Sequence, residues 1–280
     1  MDIKYNVSKF KDSKIQEVKD SVSIEEPLEM SLKYKKNNKW EIQNISITMR
    51  TPGHDEDLIR GFLFNEKIIE NINQIESVEK KGDEVGDYNL KNTIEATINN
   101  TENLDIEKLK RNFLTNSSCG VCGKTSLDSI EILKKEKLDL SFPLINEDII
   151  MKSPGLLIDE QSEFAKTGGI HASALIDENG KVIATREDVG RHNALDKLIG
   201  YTIKNKIMNP QKQFIACSGR LNFELVQKGL MANIGLMVGV GAPTSLAIDL
   251  AKRYDMTLLG FVKKESFNIY SNINRVIIKS

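Results

Sequence analysis

Residues 213 to 262 repeat one pattern: an apolar run, a glycine-bearing turn, then an amphipathic stretch. QFIACSG leads into RLNFELVQKGLMAN, GLMVGVG leads into APTSLAIDLAKRY, and TLLGFV closes the series. Strands separated by helices of this length need crossovers, which are right-handed, and the resulting sheet is covered on both faces. Just upstream, HASALID and KVIATRED flank Glu178-Asn179-Gly180, a hairpin turn. The next segment, DVGRHNALDKLIGYTIKN, carries Leu195, Leu198, Ile199 and Thr202 at helical spacing, with Asp188 expected as its N-cap. The expectation is an α/β protein: a three-layer α/β/α domain over residues 112–280, with a leading hairpin and a largely parallel sheet.

The preceding residues, 1–111, read differently. SLKYKK, WEIQNISITMR and NTIEATINN are short strand patterns, and one helix interrupts them, opened by RTPGHDEDL and continued by IRGFLFNEKII. Asp55, Glu56 and Asp57 put negative charge on its first turn, where the helix dipole favours it. Leu58, Ile59, Phe62 and Leu63 share one face, so a smaller N-terminal α+β module is expected. Early in the 112–280 domain, LDSIEILKKEK reads as a short amphipathic helix. SFPLINEDIIMKSPGLLIDEQSEF reads as a Pro-punctuated connection containing another.

Thirty-nine Lys plus Arg against 40 Asp plus Glu give a net charge of -1, which supplies no global field for nucleic acid. The charged N-terminus has no apolar secretory core, and no apolar run has the length of a membrane span. Three cysteines without an export signal point to a reducing cytosol.

Ligands of open α/β sheets bind beyond the carboxyl ends of the strands. That edge carries CSGRLNFE, VGAPTS and GFVKKES, where glycines would let a ligand approach the backbone. Ser218, Gly219, Arg220, Thr244 and Ser245, with free helix N-terminal amides, are candidates to hold phosphate, and Arg220 is the foremost. Tight strand-to-helix turns would account for the same glycines. His192, in GRHN, reads equally as a cap or a ligand contact. His54 and Asp55 read as a helix-start motif. Arg186, Glu187, Asp188, Arg191 and Lys197 form a charged cluster, either a solvated face or a phosphate contact, and Cys217 ends a buried strand as a core residue.

SSCGVCGK, residues 117 to 124, holds the other two cysteines, Cys119 and Cys122. A closed zinc site needs four ligands, and the chain offers Cys217, His54, His171 and His192 singly, in separate segments. The H-x-E and P-C-x-x-C pair of the zinc deaminases is absent. A dithiol pair is normally set at a strand end before a helix, whereas here the polar KLKRNFLTNSS precedes it. A third use is a thiolate nucleophile, its pKa lowered by Lys124 and loop amides, that receives and passes on a group. Metal, disulfide and nucleophile all remain open on spacing alone.

RTPGHDEDLIRGFLF, SSCGVCGK, TGGIHASAL, REDVGRHNALDKLIG, SGRLNFELVQK, GAPTSLAIDLA and TLLGFVKKESFNIY resemble, in that order, the motifs of the FdhD family of formate dehydrogenase accessory sulfurtransferases. The resemblance runs from about Glu25 to Tyr270 and implies a cytidine-deaminase-like fold without the zinc site. It implies a cytoplasmic homodimer that takes sulfur from a cysteine desulfurase as a persulfide on Cys119, helped by Cys122. The sulfur then passes to the molybdenum cofactor, Mo-bis(molybdopterin guanine dinucleotide), on its way to formate dehydrogenase. It further implies that Phe261, Val262, Lys263, Lys264, Glu265 and Ser266 hold that cofactor, which GDP or GMP would mimic, and it implies no metal site, nucleic acid or membrane. Lys263 stands where the family often has arginine, and Asn222 where it usually has serine.

Overall fold

The computed structural model describes residues 2–86, 88–99 and 136–279. Cys119, Cys122 and nearly all of the helix expected over LDSIEILKKEK lie outside the described residues.

The chain opens with a hairpin, β1 (Asp2–Lys11) and β2 (Lys14–Ser23), turned at Asp12 and Ser13. A four-stranded sheet follows, from β3 (Glu26–Lys36), β4 (Lys39–Arg50), β5 (Ile75–Val85) and β6 (Leu90–Ile98), in the order β4-β3-β6-β5. Helix α1 (Asp55–Asn65) lies against it and buries Leu58, Ile59 and Leu63 on Leu28, Met30, Leu32, Ile94 and Ala96. The expected α1 and three strands are present, whereas β1, β2 and β5 were not expected. Their sequences, such as IESVEKKGDEV, put charge on so many positions that apolar alternation is lost.

The second part contains β7 (Ile145–Asn146), α2 (Glu147–Asp159), α3 (Ser162–Thr167), β8 (His171–Asp177), β9 (Val182–Asp188) and α4 (Arg191–Lys204). After these come β10 (Gln213–Cys217), α5 (Phe223–Met231), β11 (Leu236–Gly239), α6 (Ser245–Arg253), β12 (Thr257–Gly260), β13 (Asn268–Ser271) and β14 (Val276–Ile277). Six strands form one sheet in the order β13-β12-β11-β10-β8-β9. Alternate residues serve opposite faces. Leu175, Ile215, Met237 and Leu258 meet α4, α5 and α6, while Ala174, Phe214, Val238 and Leu259 pack with Ile150 and Leu157 of α2. The three layers are therefore as expected.

The sheet is not largely parallel. Only the β10–β11 and β11–β12 pairings are parallel; β8 pairs antiparallel with both β9 and β10, and β13 with β12. Two short connections cause this. The β8–β9 turn reverses the chain within four residues, with Gly180 at φ +83 and Asp177 Oδ1 accepting the Asn179 and Lys181 amides at 2.9 Å. Residues 261–267 are too few for a crossover, so β13 folds back on β12. The β9–α4–β10 crossover steps over β8, which lies between the two strands it joins.

Sheet and module meet along α1 and α4. Asp57, Gly61 and Asn65 recur at every fourth residue of α1 and face Asp196 and Gly200 of α4. A Cβ added at Gly61 would lie 1.9 Å from the Asp196 carbonyl oxygen, and one at Gly200 would lie 1.9 Å from that of Asp57. The crossing is backbone on backbone. Around it Asn65 Nδ2 donates to Asp196 Oδ1 at 2.6 Å, and Lys228 Nζ donates to both Asp196 oxygens at 2.9 Å. Asp188, expected to cap α4, instead binds Lys197 Nζ at 2.6 Å and accepts from the Thr51 and Gly190 amides at 3.2 and 2.8 Å. Gly190 takes the N-cap position. Lys197 also donates to the Thr51 carbonyl at 2.8 Å, so one buried ion pair ties α4, β9 and the turn before α1 together.

Gly200→Ala should therefore lower unfolding free energy by about 3 kcal/mol or more, because neither backbone can yield. Gly155→Ala, on the exposed side of α2 with nothing within 4 Å of the new Cβ, should raise it by up to about 1 kcal/mol through helix propensity. Denaturant titration of the two variants distinguishes close approach from a generic glycine effect.

Candidate functional site at the carboxyl edge of the sheet

Strands β10, β11 and β12 end side by side, and the three segments that follow are laced to one another through the backbone. Gly241 N donates to Gly219 O at 3.1 Å, Leu221 N to Ala242 O at 3.1 Å, and Thr244 N to Leu221 O at 3.0 Å. Phe261 N and Val262 N reach back to Gly241 O and Gly239 O at 3.2 and 3.3 Å, and Lys263 N closes the last turn on Ser266 O at 2.8 Å. Ser218, Gly219, Arg220, Thr244, Ser245 and the 261–266 segment thus share one continuous rim. Ser218 is fastened to β8 as well, its Oγ accepting the Ala172 amide at 2.9 Å.

The rim glycines serve this lacing. A Cβ at Gly239 would meet Leu221 at 2.9 Å, one at Gly241 would meet Arg220 at 3.0 Å, and one at Gly260 would meet Pro243 at 2.7 Å. They allow loop to approach loop, which is the tight-turn reading of these residues.

Phe261 is the rim's strained position. Its φ of +51 is a left-handed conformation that a bulky side chain rarely adopts. The backbone bonds to Gly241 and Gly239 and the buried Val262 side chain hold it there, with the residue 44% exposed. Arg220, Lys263 and Lys264 are exposed beside it and form no ion pair among the described residues. An exposed aromatic ring flanked by unpaired cations suits a flat, anionic ligand.

His192, in the first turn of α4, faces the start of α5. Its Nε2 lies 2.8 Å from Glu224 Oε2, and the Asn222 amide is within 3.0 to 3.2 Å. Hydrogen bonding to His192 holds the Glu224 carboxyl below its ordinary range. Asn222 also caps α5, accepting the Leu225 amide at 3.2 Å. The residue that departs from the usual serine therefore serves both the helix and the histidine.

Most of the charged cluster on β9 and α4 is internal. Arg186 binds Asp57 at 2.9 Å and stacks over Tyr201 at 3.8 Å, and Glu187 accepts the Glu163 and Phe164 amides at the start of α3. His54, at φ +55 before α1, caps no amide with its side chain, and Asp55 pairs with Arg50 and Lys80. His171 enters the sequence reading only as a solitary histidine, and Arg191 only as one of the charged cluster read as a solvated face or a phosphate contact. No periodic signal marks them, because each stands at the first residue of its element. Arg275 likewise gave no signal; it is buried and donates to the carbonyls of Asp139, Phe142 and Asp255, fastening residues 139–142 to the end of α6. Among the described residues no group of three or more His, Cys, Asp or Glu could hold a metal ion, and no helix is long and apolar enough to cross a membrane.

Cys217 is buried under α5, 3.5 Å from Ser173 Oγ, and burial pushes its thiol up to about 11. The Cys119→Ala/Cys122→Ala variant should accordingly show no thiol reactive to a disulfide reagent at pH 8 when native, and one when unfolded. A fast native thiol would contradict the burial.

The FdhD/NarQ family profile matches residues 23–277. The chain is 40% identical over 261 residues to the sulfur carrier protein FdhD of Picrophilus torridus, covering 93% of each chain. It is 39% identical to that of Sulfurisphaera tokodaii over 92% of each. Its fold is similar to the crystal structure described as a formate dehydrogenase accessory protein from Desulfotalea psychrophila, at a TM-score of 0.73 and 21% identity over 99% of both chains.

Proposed function

The chain belongs to the FdhD/NarQ family, and on that premise we propose that it is a cytoplasmic sulfur carrier, a sulfurtransferase serving formate dehydrogenase. The observation that carries this reading is near full-length similarity to sulfur carrier proteins, across a span that includes Cys119 and Cys122. The Cys119 thiolate attacks the outer sulfur of a persulfide on a cysteine desulfurase. The donor leaves as its thiol, and Cys119 keeps the sulfur as a persulfide. Attack by the Cys122 thiolate on the inner sulfur then forms a Cys119–Cys122 disulfide and frees the outer sulfur as hydrosulfide.

The acceptor in this proposal is the molybdenum cofactor as Mo-bis(molybdopterin guanine dinucleotide), bound as substrate along the rim. Phe261 offers a ring for stacking, and Lys263, Lys264 and Arg220 offer charge to its phosphates. Ser218, Thr244, Ser245, Glu265 and Ser266 supply hydroxyls and a carboxylate for the polar groups of the nucleotide. A homodimer of cytidine-deaminase-like subunits would present two such rims to a cofactor that carries two guanine dinucleotides.

Incubation with a cysteine desulfurase and cysteine should add one sulfur, about 32 Da, to the intact wild-type mass, and none to Cys119→Ala. Sulfur on Cys119→Ala at the wild-type level would overturn the assignment of Cys119.

A further inference from the structure

The four-stranded sheet packs one face on α1, and its other face carries an apolar stripe along the edge strand β4. Trp40, Ile42, Ile47 and Met49 are 47, 62, 52 and 48% exposed. Plain alternation would put Ile42 and Ile47 on opposite faces. A bulge prevents this: Met30 pairs with Ser46 and Ser31 with Asn44, so Ile45 is the extra residue and joins the core against α1. Beyond it the strand resumes with its apolar residues outward. Four large apolar side chains grouped on an edge strand mark an interaction surface, unlike apolar residues exposed singly.

The order of the stripe selects its occupant. Trp40-x-Ile42 on one side of the bulge is mirrored by Ile47-x-Met49 on the other. On the neighbouring β3, Lys33 pairs with Ile42 and Glu29 with Ile47, so opposite charges flank the same centre symmetrically. Neither forms a salt bridge among the described residues; the Lys33 Nζ lies 5.2 Å over the Trp40 ring. Consider a half-turn about an axis across the strands between Asn44 and Ile45, with sheet face on sheet face. It sets Ile42 on Ile47 of the partner subunit and Trp40 on Met49 of the partner subunit. The same rotation sets Lys33 on Glu29 of the partner subunit. Each contact then occurs twice, as an isologous interface requires. Farther from the edge, Glu95 stands beside Ser31 near the axis, but Lys81 of its own chain is 3.9 Å away and twisted sheets diverge from their line of contact.

We propose that the outer face of β3 and β4 binds a second copy of this chain across a two-fold axis at the Ile45 bulge. This rests on the reading of the protein as a homodimer and adds to it the surface and the symmetry. A different protein would have to match both the apolar spacing and the charge order, whereas a second copy supplies both from the same residues.

Sedimentation of the full-length wild type and of Ile42→Glu, Lys33→Glu and Glu29→Lys tests this, with circular dichroism to confirm that each exposed substitution leaves the fold intact. The wild type should sediment at twice the chain mass. Ile42→Glu should weaken the dimer about a hundredfold, because it brings a carboxylate into the apolar contact twice. Lys33→Glu and Glu29→Lys should each weaken it about tenfold, since each places like charges together at two symmetric points. An equimolar mixture of those two chains should form the heterodimer in preference to either homodimer, because every charged contact is then complementary. A wild-type dimer left unchanged by all three substitutions overturns this interface while the homodimer stands. A mixture with no preference for the heterodimer overturns the two-fold register. A monomeric wild type overturns the interface and the homodimer together, and leaves the stripe to a different protein.

Discussion

At the crossing of α1 and α4 two glycines put backbone against backbone. Helix packing at that distance leaves no room for side chains to carry the contact. The joint is instead held by polar groups around it: Asn65 and Lys228 on Asp196, Arg186 on Asp57, and Lys197 between Asp188 and Thr51. Removing one member of such a buried pair strands the other charge, which typically costs about 3 to 5 kcal/mol. The joint therefore specifies a single orientation of the N-terminal sheet on the α/β layers. It also fixes the first turn of α4, because Asp188 and Asn193 are drawn to Thr51 and Met49 of the N-terminal part.

That arrangement sets the electrostatics of the sheet's carboxyl edge. The acidic groups of β9, α4 and α5 are engaged by Lys197, Lys228, backbone amides or His192, whereas Arg191, Arg220, Lys263 and Lys264 have no carboxylate partner among the described residues. A chain of nearly zero net charge thus carries a local cationic edge, with the strained and exposed Phe261 within it. Three rim segments bonded to one another keep that edge in shape without a ligand.

The regular part of the fold was legible from the sequence because each of its elements is apolar at its own period. QFIAC, LMVG and TLLG are buried at every position, and Leu195, Leu198 and Ile199 are fully buried on α4. Strand direction was less legible. Whether β13 returns or crosses over depends on a few residues of connection rather than on any periodicity. The tight helix crossing escaped because Gly61 and Gly200 are 139 positions apart and carry no side chain to read. At the site, the rim segments were legible as glycine turns at strand ends. Arg191 was legible only as one of a charged cluster, and His171 only as a solitary histidine. The charged run from Arg186 to Lys197 read as a solvated face or a phosphate contact, yet Asp188 and Lys197 are buried. Their partners come from the other sheet's connections, which no local pattern reveals.

The central claim is that Cys119 and Cys122 do chemistry that the folded rim cannot do without them. Its most direct measurement is formate dehydrogenase activity in cells that lack their own carrier and express either the wild-type chain or the Cys119→Ala/Cys122→Ala variant, with GDP binding measured on both purified proteins. The account predicts equal GDP binding and activity restored only by the wild type. Full activity with the doubly substituted chain would contradict it and would leave the protein a cofactor-binding scaffold without sulfur chemistry of its own.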